Sequence, residues 1–390
     1  MIVLLALLSL AGPNSTTNSP RPEMRGLWVV RTGLFTPASV DQVVDTAARG
    51  GFNALFVQVR GRGDAFYVSR LVPRSDLLRS QPADFDPLAR LIARAKERGI
   101  EVHAWVNVLL SAHFGVPLPP GHVALRHPEW LMVPKAAAQA AMSVPRSALP
   151  ALIERYREQS DAEGLYLSPS APGAVAHLED VVGELLRAYP VDGLHLDFIR
   201  YPGPEFDWSR PALEGFARGG DLMAAPNLDP EGWEAYRRAE LDALAARLSQ
   251  TARRARPGVV VSAAVVPDQA QAIHHRYQSW ATWVERGLVD AVCPMAYTPD
   301  TRIFRAQLEQ ARARLGPAAL VWAGVGAYRL DLDGVVEKVR AAREAGASGV
   351  VLFSHESLTP ADFERLHGAV FPPPAAPAAA VGGYGPRGRR

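Results

Sequence analysis

The stretch Val191-Asp192-Gly193-Leu194-His195-Leu196-Asp197-Phe198-Ile199-Arg200-Tyr201-Pro202 decides how the rest of the chain is read. Leu194, Leu196 and Phe198 recur at every second position, the period of a strand, and Gly193 ahead of them is a turn signal. His195 and Asp197 fall on the opposite face, and Arg200 and Tyr201 follow at once. The stretch therefore reads as a buried strand that ends in polar groups. A buried carboxylate is costly unless it is paired or hydrogen-bonded. Asp197 is then either a functional group or a structural one that caps the next loop or pairs with Arg200.

Working outward, similar apolar runs lie at 25–31, 53–60, 100–108, 259–266, 289–297, 319–326 and 348–354. Between them, apolar residues at helical spacing predict helices over 39–49, 86–98, 174–189, 230–256, 277–286, 302–315, 332–345 and 360–370. Gly51, Gly99, Gly287 and Gly346 punctuate the helix-to-strand turns. Strands that alternate with helices argue a parallel sheet with crossover helices, and eight is the number that closes a barrel. The expected fold is α/β, a (β/α)8 TIM barrel with insertions after strands 3 and 4, at 111–172 and 205–229. An open doubly wound sheet competes, but no Gly-x-Gly-x-x-Gly follows the first strand.

The 390 residues are 48% hydrophobic, ample for one large barrel domain, expected over 23–371. A net charge of +2 points to neither nucleic acid nor an anionic membrane. The single cysteine, Cys293, excludes an internal disulfide and reads as a small core residue. Residues 1–11 are almost wholly apolar, too short to span a bilayer and suited to the core of a secretory signal, although no Lys or Arg precedes them. Residues 1–22 are thus a signal-like segment and linker. The expectation is export to the periplasm, cell surface or medium, with no stable membrane insertion once the leader is removed. The Pro, Ala, Gly and Arg of 372–390 predict a disordered tail.

In a barrel of this kind the active site lies where the carboxyl ends of the strands meet. Polar groups recur there: Arg60 and Asp64 after strand two, Asn107 at strand three, and His195, Asp197, Arg200 and Tyr201 at strand four. Asp268 follows strand five, Tyr297 and Asp300 strand six, Tyr328 strand seven, and His355 and Glu356 strand eight. Carboxylates supply an acid and a base or nucleophile for acetal cleavage. Aromatic faces, with Trp28, Trp105, Trp130, Trp208 and Tyr201 as candidates, stack on sugar rings, although any one Trp can equally be core. His195-x-Asp197 and His274-His275 offer possible metal ligands, but a metal site needs three or four converging donors. No metal and no cofactor is expected. The Ser-His-Asp arrangement lacks its Gly-x-Ser-x-Gly elbow.

Several blocks together carry a resemblance. Arg-Gly-Leu-Trp-Val (25–29), Phe-Asn-Ala-Leu-Phe-Val-Gln-Val-Arg-Gly-Arg-Gly-Asp-Ala-Phe-Tyr (52–67), His-Pro-Glu-Trp-Leu (127–131), the opening stretch (191–202) and Pro-Met-Ala-Tyr-Thr (294–298) look like the bacterial glycosyl-hydrolase-like family ten. The resemblance runs from about residue 23 to 370. It implies a barrel glycoside hydrolase, exported, acting on an envelope glycan such as peptidoglycan strands. It also makes Asp197 similar to the fourth-strand nucleophile of amylase-type barrels. Asp197 is expected to act as nucleophile or as base toward water, with Arg200 and His195 holding it ionised and oriented. The acid is then Glu356, Asp300 or Asp268, with Glu356 favoured for its reach. Arg60, Asp64, Trp105, Asn107, His195, Arg200, Tyr201, Tyr297 and Tyr328 are the expected substrate contacts. Ser168 stands where the family pattern leads one to expect Asn or Asp. The alternatives are a non-catalytic glycan-binding barrel and a metal-dependent polysaccharide hydrolase or deacetylase. An interaction scaffold would have less reason for so polar a rim.

Overall fold

A computed structural model of the chain describes residues 22–372. The leader and most of the linker and tail expected from the sequence lie outside the described residues. Eight parallel strands close into a barrel: β1 (Met24–Val29), β2 (Ala54–Arg60), β3 (Glu101–Asn107), β4 (Gly193–Asp197), β5 (Val260–Val265), β6 (Ala291–Pro294), β7 (Leu320–Gly326) and β8 (Gly349–Phe353). Each pairs with its neighbours in sequence, and β8 pairs with β1 to complete the ring. The crossover helices are α1 (Pro37–Arg49), α2 (Pro87–Glu97), α3 (Pro172–Ala188), α4 (Pro230–Ala255), α5 (Trp280–Glu285), α6 (Thr301–Leu315), α7 (Leu332–Glu344) and α8 (Pro360–Ala369). The architecture is the TIM barrel that the alternation of periods predicts.

Local chemistry fixes the ends of these elements. Proline opens α1, α2, α3, α4 and α8, at the position whose N–H has no helical partner. Thr36, Asp86, Asp229, Asp300, Asp331 and Thr359 cap helix N-termini with side-chain oxygens. Gly99 and Gly287, both at φ +64°, turn α2 and α5 into the next strand in a conformation that a Cβ disfavours. Two elements fall shortest of their expected ranges. β6 stops at Pro294, with only Met295 bridging onward to Gly324, and α5 begins at Trp280 because Tyr277 sits at φ +54°. A short helix, Gln269–His275, precedes α5 and was not anticipated.

Two apolar layers follow from strand alternation. Outward residues such as Leu27, Val57, Leu194 and Leu196 pack under the helices in the main core. Inward residues form a separate cluster of Trp28, Phe56, Trp105, Cys293, Trp322 and Val351. His103 and His195 are fully buried among them. Gly193 belongs to this interior. A Cβ there would lie 2.0 Å from His103 Nδ1, so the glycine makes room for the ring and is not merely a turn signal.

Residues 108–171 and 198–229 form the two long connections. The first holds an antiparallel pair, Leu110–His113 with Gly164–Tyr166, and the second a helix, Arg210–Ala217. Asp207 joins them. It is fully buried and accepts from Val133 N (3.0 Å), Ser209 N (2.9 Å) and Ser209 Oγ (3.1 Å). Trp208 is packed with Ala138, Ala212, Leu213 and Trp233. It is core, not a sugar platform.

Substituting Gly193→Ala should destabilise the barrel by about 1–3 kcal/mol, the usual cost of overpacking. Urea unfolding measures it, and an unchanged midpoint would show that His103 moves aside freely.

Candidate active site at the barrel mouth

Asp197 is the last residue of β4, and its side chain is 9% exposed. Three donors converge on it. Phe198 N–H donates to Oδ1 at 2.6 Å, Arg200 Nη1 to Oδ1 at 3.0 Å, and Trp105 Nε1 to Oδ2 at 3.1 Å. Phe198 adopts a left-handed conformation, φ +48°, which ends the strand, and the Arg200 guanidinium lies 4.2 Å over its ring. Together these donors hold both carboxylate oxygens in place.

The network continues sideways across the mouth. Asn107 is the register partner of Asp197 on β3. Its Oδ1 accepts from Trp105 Nε1 at 2.9 Å, so the one indole N–H is shared between Asn107 and Asp197, and its Nδ2 donates to Gly61 O at 2.8 Å. Gln58 Nε2 reaches Asn107 Oδ1 at 3.5 Å, and Arg31 Nη1 donates to Gln58 Oε1 at 3.1 Å. Sequence reasoning missed Gln58 and Arg31. The signal for Gln58 was its inward parity on β2, shared with Ala54 and Phe56.

Aromatic rings wall the opposite side. Tyr297 stacks on Phe353 at 5.5 Å between centroids, and Tyr328 meets both at 6.1 and 5.9 Å. Trp105 approaches Phe353 at 6.3 Å. Tyr328 is 55% exposed, so this wall opens to solvent. Burial first, then the Cys293 thiol and the Asp197 carboxylate, push the Tyr297 phenol up and keep it a hydrogen-bond donor.

Other expected contacts lie elsewhere. His195 sits below the mouth: its Nε2 accepts from Trp28 Nε1 at 3.2 Å and its Nδ1 faces Ser262 Oγ at 2.9 Å. Because Nε2 is an acceptor, the proton belongs on Nδ1 and the ring is neutral. It supports Trp28 and does not touch Asp197. Tyr201 is fully buried, edge-on to Tyr277 at 5.0 Å, and does not reach the mouth. Arg60 is also fully buried, with Nη1 bound to Asn107 O. Asp64 accepts from Arg62 N at 3.1 Å within its own loop. Ser168 is sealed against solvent, so it does not border a sugar site. Trp130 stacks on His127 at 3.8 Å.

The three candidate acids differ. Asp300 caps α6 through Arg302 N and Ile303 N and pairs with Arg302. Asp268 caps the helix Gln269–His275 through Gln271 N. Glu356 follows β8, across the ring from β4. Its Oε1 lies 3.3 Å from where a Cβ on Gly33 would be, and burial of this end pushes its carboxyl up although much of the residue is exposed. His355 turns away to Thr46 Oγ1 at 2.9 Å, and burial lowers its ring to about 4. A cavity of about 1110 Å3 lies on the outer flank by α2 and α3, lined by Ala89, Ile92, Glu184 and Tyr189 among others, away from the mouth. Among the described residues no group of three or more His, Cys, Asp or Glu is placed to hold a metal ion. No helix among them is long and apolar enough to cross a membrane.

A parallel eight-stranded ring with a carboxylate and aromatics at its carboxyl end has the form of a TIM-barrel glycosidase. The fold matches the glycoside hydrolase domain of PgaB (BpsB) from Bordetella bronchiseptica, with a TM-score of 0.66 and 17% identity, over 86% of this chain and 95% of that one. By sequence, the chain is 24% identical over 340 residues to glycosyl hydrolase DigH of Escherichia coli K12, covering 74% of this chain and 69% of that protein. It is 25% identical over 312 residues to glycosyl hydrolase YngK of Bacillus subtilis, covering 70% of this chain and 54% of that protein. The chain belongs to the family described as glycosyl hydrolase-like 10, whose model matches residues 23–321.

The buried imidazole has a measurable consequence. Burial first, then repulsion by His103, lowers the His195 pKa from 6.5 to about 3. The unfolded chain therefore takes up this proton before the folded one does. Stability present above pH 6.5 should fall as the pH drops toward 3, by up to ~1.4 kcal/mol per pH unit from this group. Chemical unfolding of His195→Gln across that window should show a flatter acid limb than the parent. Equal slopes would mean that the ring is protonated in the fold.

Proposed function

We propose that the chain is an exported hydrolase that cleaves glycosidic bonds in a bacterial envelope polysaccharide, with peptidoglycan glycan strands as the substrate class its resemblance favours. One observation carries the reading: an Asp197 carboxylate held by three donors beside a partly open aromatic wall. Membership of the glycosyl hydrolase-like 10 family supports it. Export rests on the apolar residues 1–11, which lie outside the described residues.

Asp197 serves as nucleophile at the anomeric carbon or as base toward water. Its three donors fix its oxygens before substrate arrives, so little reorganisation accompanies the reaction. Tyr297, Phe353 and Tyr328 offer faces for a pyranose ring. The proton for the departing oxygen comes from Glu356, the one candidate acid that caps no α-helix and whose proton affinity burial raises. Retention requires carboxyls ~5–5.5 Å apart at the moment of reaction and inversion ~6.5–9.5 Å. The anomeric configuration of the first product distinguishes them.

Asp197→Asn should lower kcat on glycan strands by about 10²–10⁴-fold, the range of acid–base contributions, with the circular dichroism spectrum and glycan affinity retained. Normal turnover by this variant would refute the assignment. Glu356→Gln should lose activity on the polymer but keep it on an aryl glycoside, whose leaving group needs no proton. An equal loss on both substrates would remove Glu356 from the donor role.

A further inference from the structure

A second cavity, of about 170 Å3, opens beside the loop after β2. It is lined by Arg70, Arg126, His127 and His177, together with Gly63 and Gly121, and both arginines are exposed. Two more basic groups stand near His177. His122 is buried, with Nε2 bonded to Arg62 O at 2.8 Å and Ser111 O at 2.9 Å. Arg60 is fully buried, and its Nε and Nη2 have no partner.

Three carboxylates lie nearby, each with a hydrogen-bond partner of its own. Glu129 faces His127 Nδ1 at 3.4 Å. Glu184 accepts from the Ser69 hydroxyl and from the backbone, not the guanidinium, of Arg70. Asp64 accepts from Arg62 N. Among the described residues, neither the Arg70 nor the Arg126 guanidinium has a carboxylate within 4.0 Å. Burial first, then repulsion from Arg60, His127, Arg126 and His122, lowers the His177 ring to about 4. The burial part of that shift disfavours any charge, whereas the cationic neighbours favour an anion.

The cavity holds the volume of about five or six liquid waters, room for a small oxyanion with its immediate attachment. The loop that borders it also reaches the barrel mouth. Gly61 O binds the Asn107 side chain at 2.8 Å, and Gly63 lines the cavity two residues later. On its other side the cavity shares Arg70 and Leu71 with the larger flank cavity, so a polymer would have to run from Asp197 across this loop to bring a substituent to it.

We propose that this cavity is an anion subsite that takes a carboxylate carried by the glycan, making the enzyme selective for acidic over neutral strands. The nature of the ligand rests on the glycan-hydrolase reading, whereas the affinity for an oxyanion does not. The full chain carrying Asp197→Asn reports binding without turnover. Sodium phosphate, titrated against chloride at constant ionic strength, should raise the His177 pKa as followed by NMR. In the double variant Arg70→Gln/Arg126→Gln the phosphate affinity should fall about tenfold or more. Glycan strands with free carboxyl groups should bind about tenfold more tightly than the same strands amidated, and the double variant should erase the difference. An absent phosphate response, or one the double variant leaves intact, would overturn the site. A phosphate response with equal binding of the two glycans would overturn the selectivity. Neither readout needs hydrolysis, so a failure of the catalytic reading would show separately.

Discussion

The Asp197 carboxylate is held from three directions, by the N–H of Phe198, by the Arg200 guanidinium and by the Trp105 indole. A charge so nearly enclosed would otherwise carry a desolvation penalty of several kcal/mol. Each donor imposes a condition on the chain. The backbone donor comes from a residue in the left-handed region, where β4 must stop. The guanidinium must return over the Phe198 ring. The indole must come from β3 in the register that sets Asn107 against Asp197. The mouth is therefore a property of strand register and one turn, and the long connections build around it.

Beneath it the barrel interior is rich in aromatic rings. Trp28 touches both levels: its N–H is taken by His195 below, and its ring meets Tyr297 at 6.2 Å and Phe353 at 5.8 Å above. A neutral imidazole is what lets the indole keep its hydrogen bond. Packing in the floor thus bears directly on the placement of the sugar-facing wall.

The ring of strands and helices was legible because period two and period 3.6 alternate cleanly along the chain. Asp197 and Asn107 were legible because strand parity and the carboxyl-end rule both hold up to the end of β3 and β4, and Arg200 because the carboxyl-end rule also covers the loop that follows. Parity fails where the backbone departs from a regular strand. The register shift between Gln58 and Arg60 turns Arg60 away from the mouth. The turn at Phe198 leaves Tyr201 in the core. Asp300 and Asp268 each precede a helix, and capping explains both without any chemistry. Gln58 and Phe353 were passed over because neither ends a strand run with a charge. The exposed face of Tyr328 and the enclosure of Trp208 depend on tertiary packing that no local pattern reports.

The carboxylate of Asp207 lies where residues 108–171 meet residues 198–229, and it serves both at once. Burial pushes its pKa up, and only the donors from the two segments oppose that. Shortening either excursion alone would strand a solvent-starved acid with half its ligands missing. Lineages that diversify this scaffold are therefore expected to inherit, trim or replace the two excursions as one unit, so that grafting a single one onto a relative fails even when the ring itself is preserved.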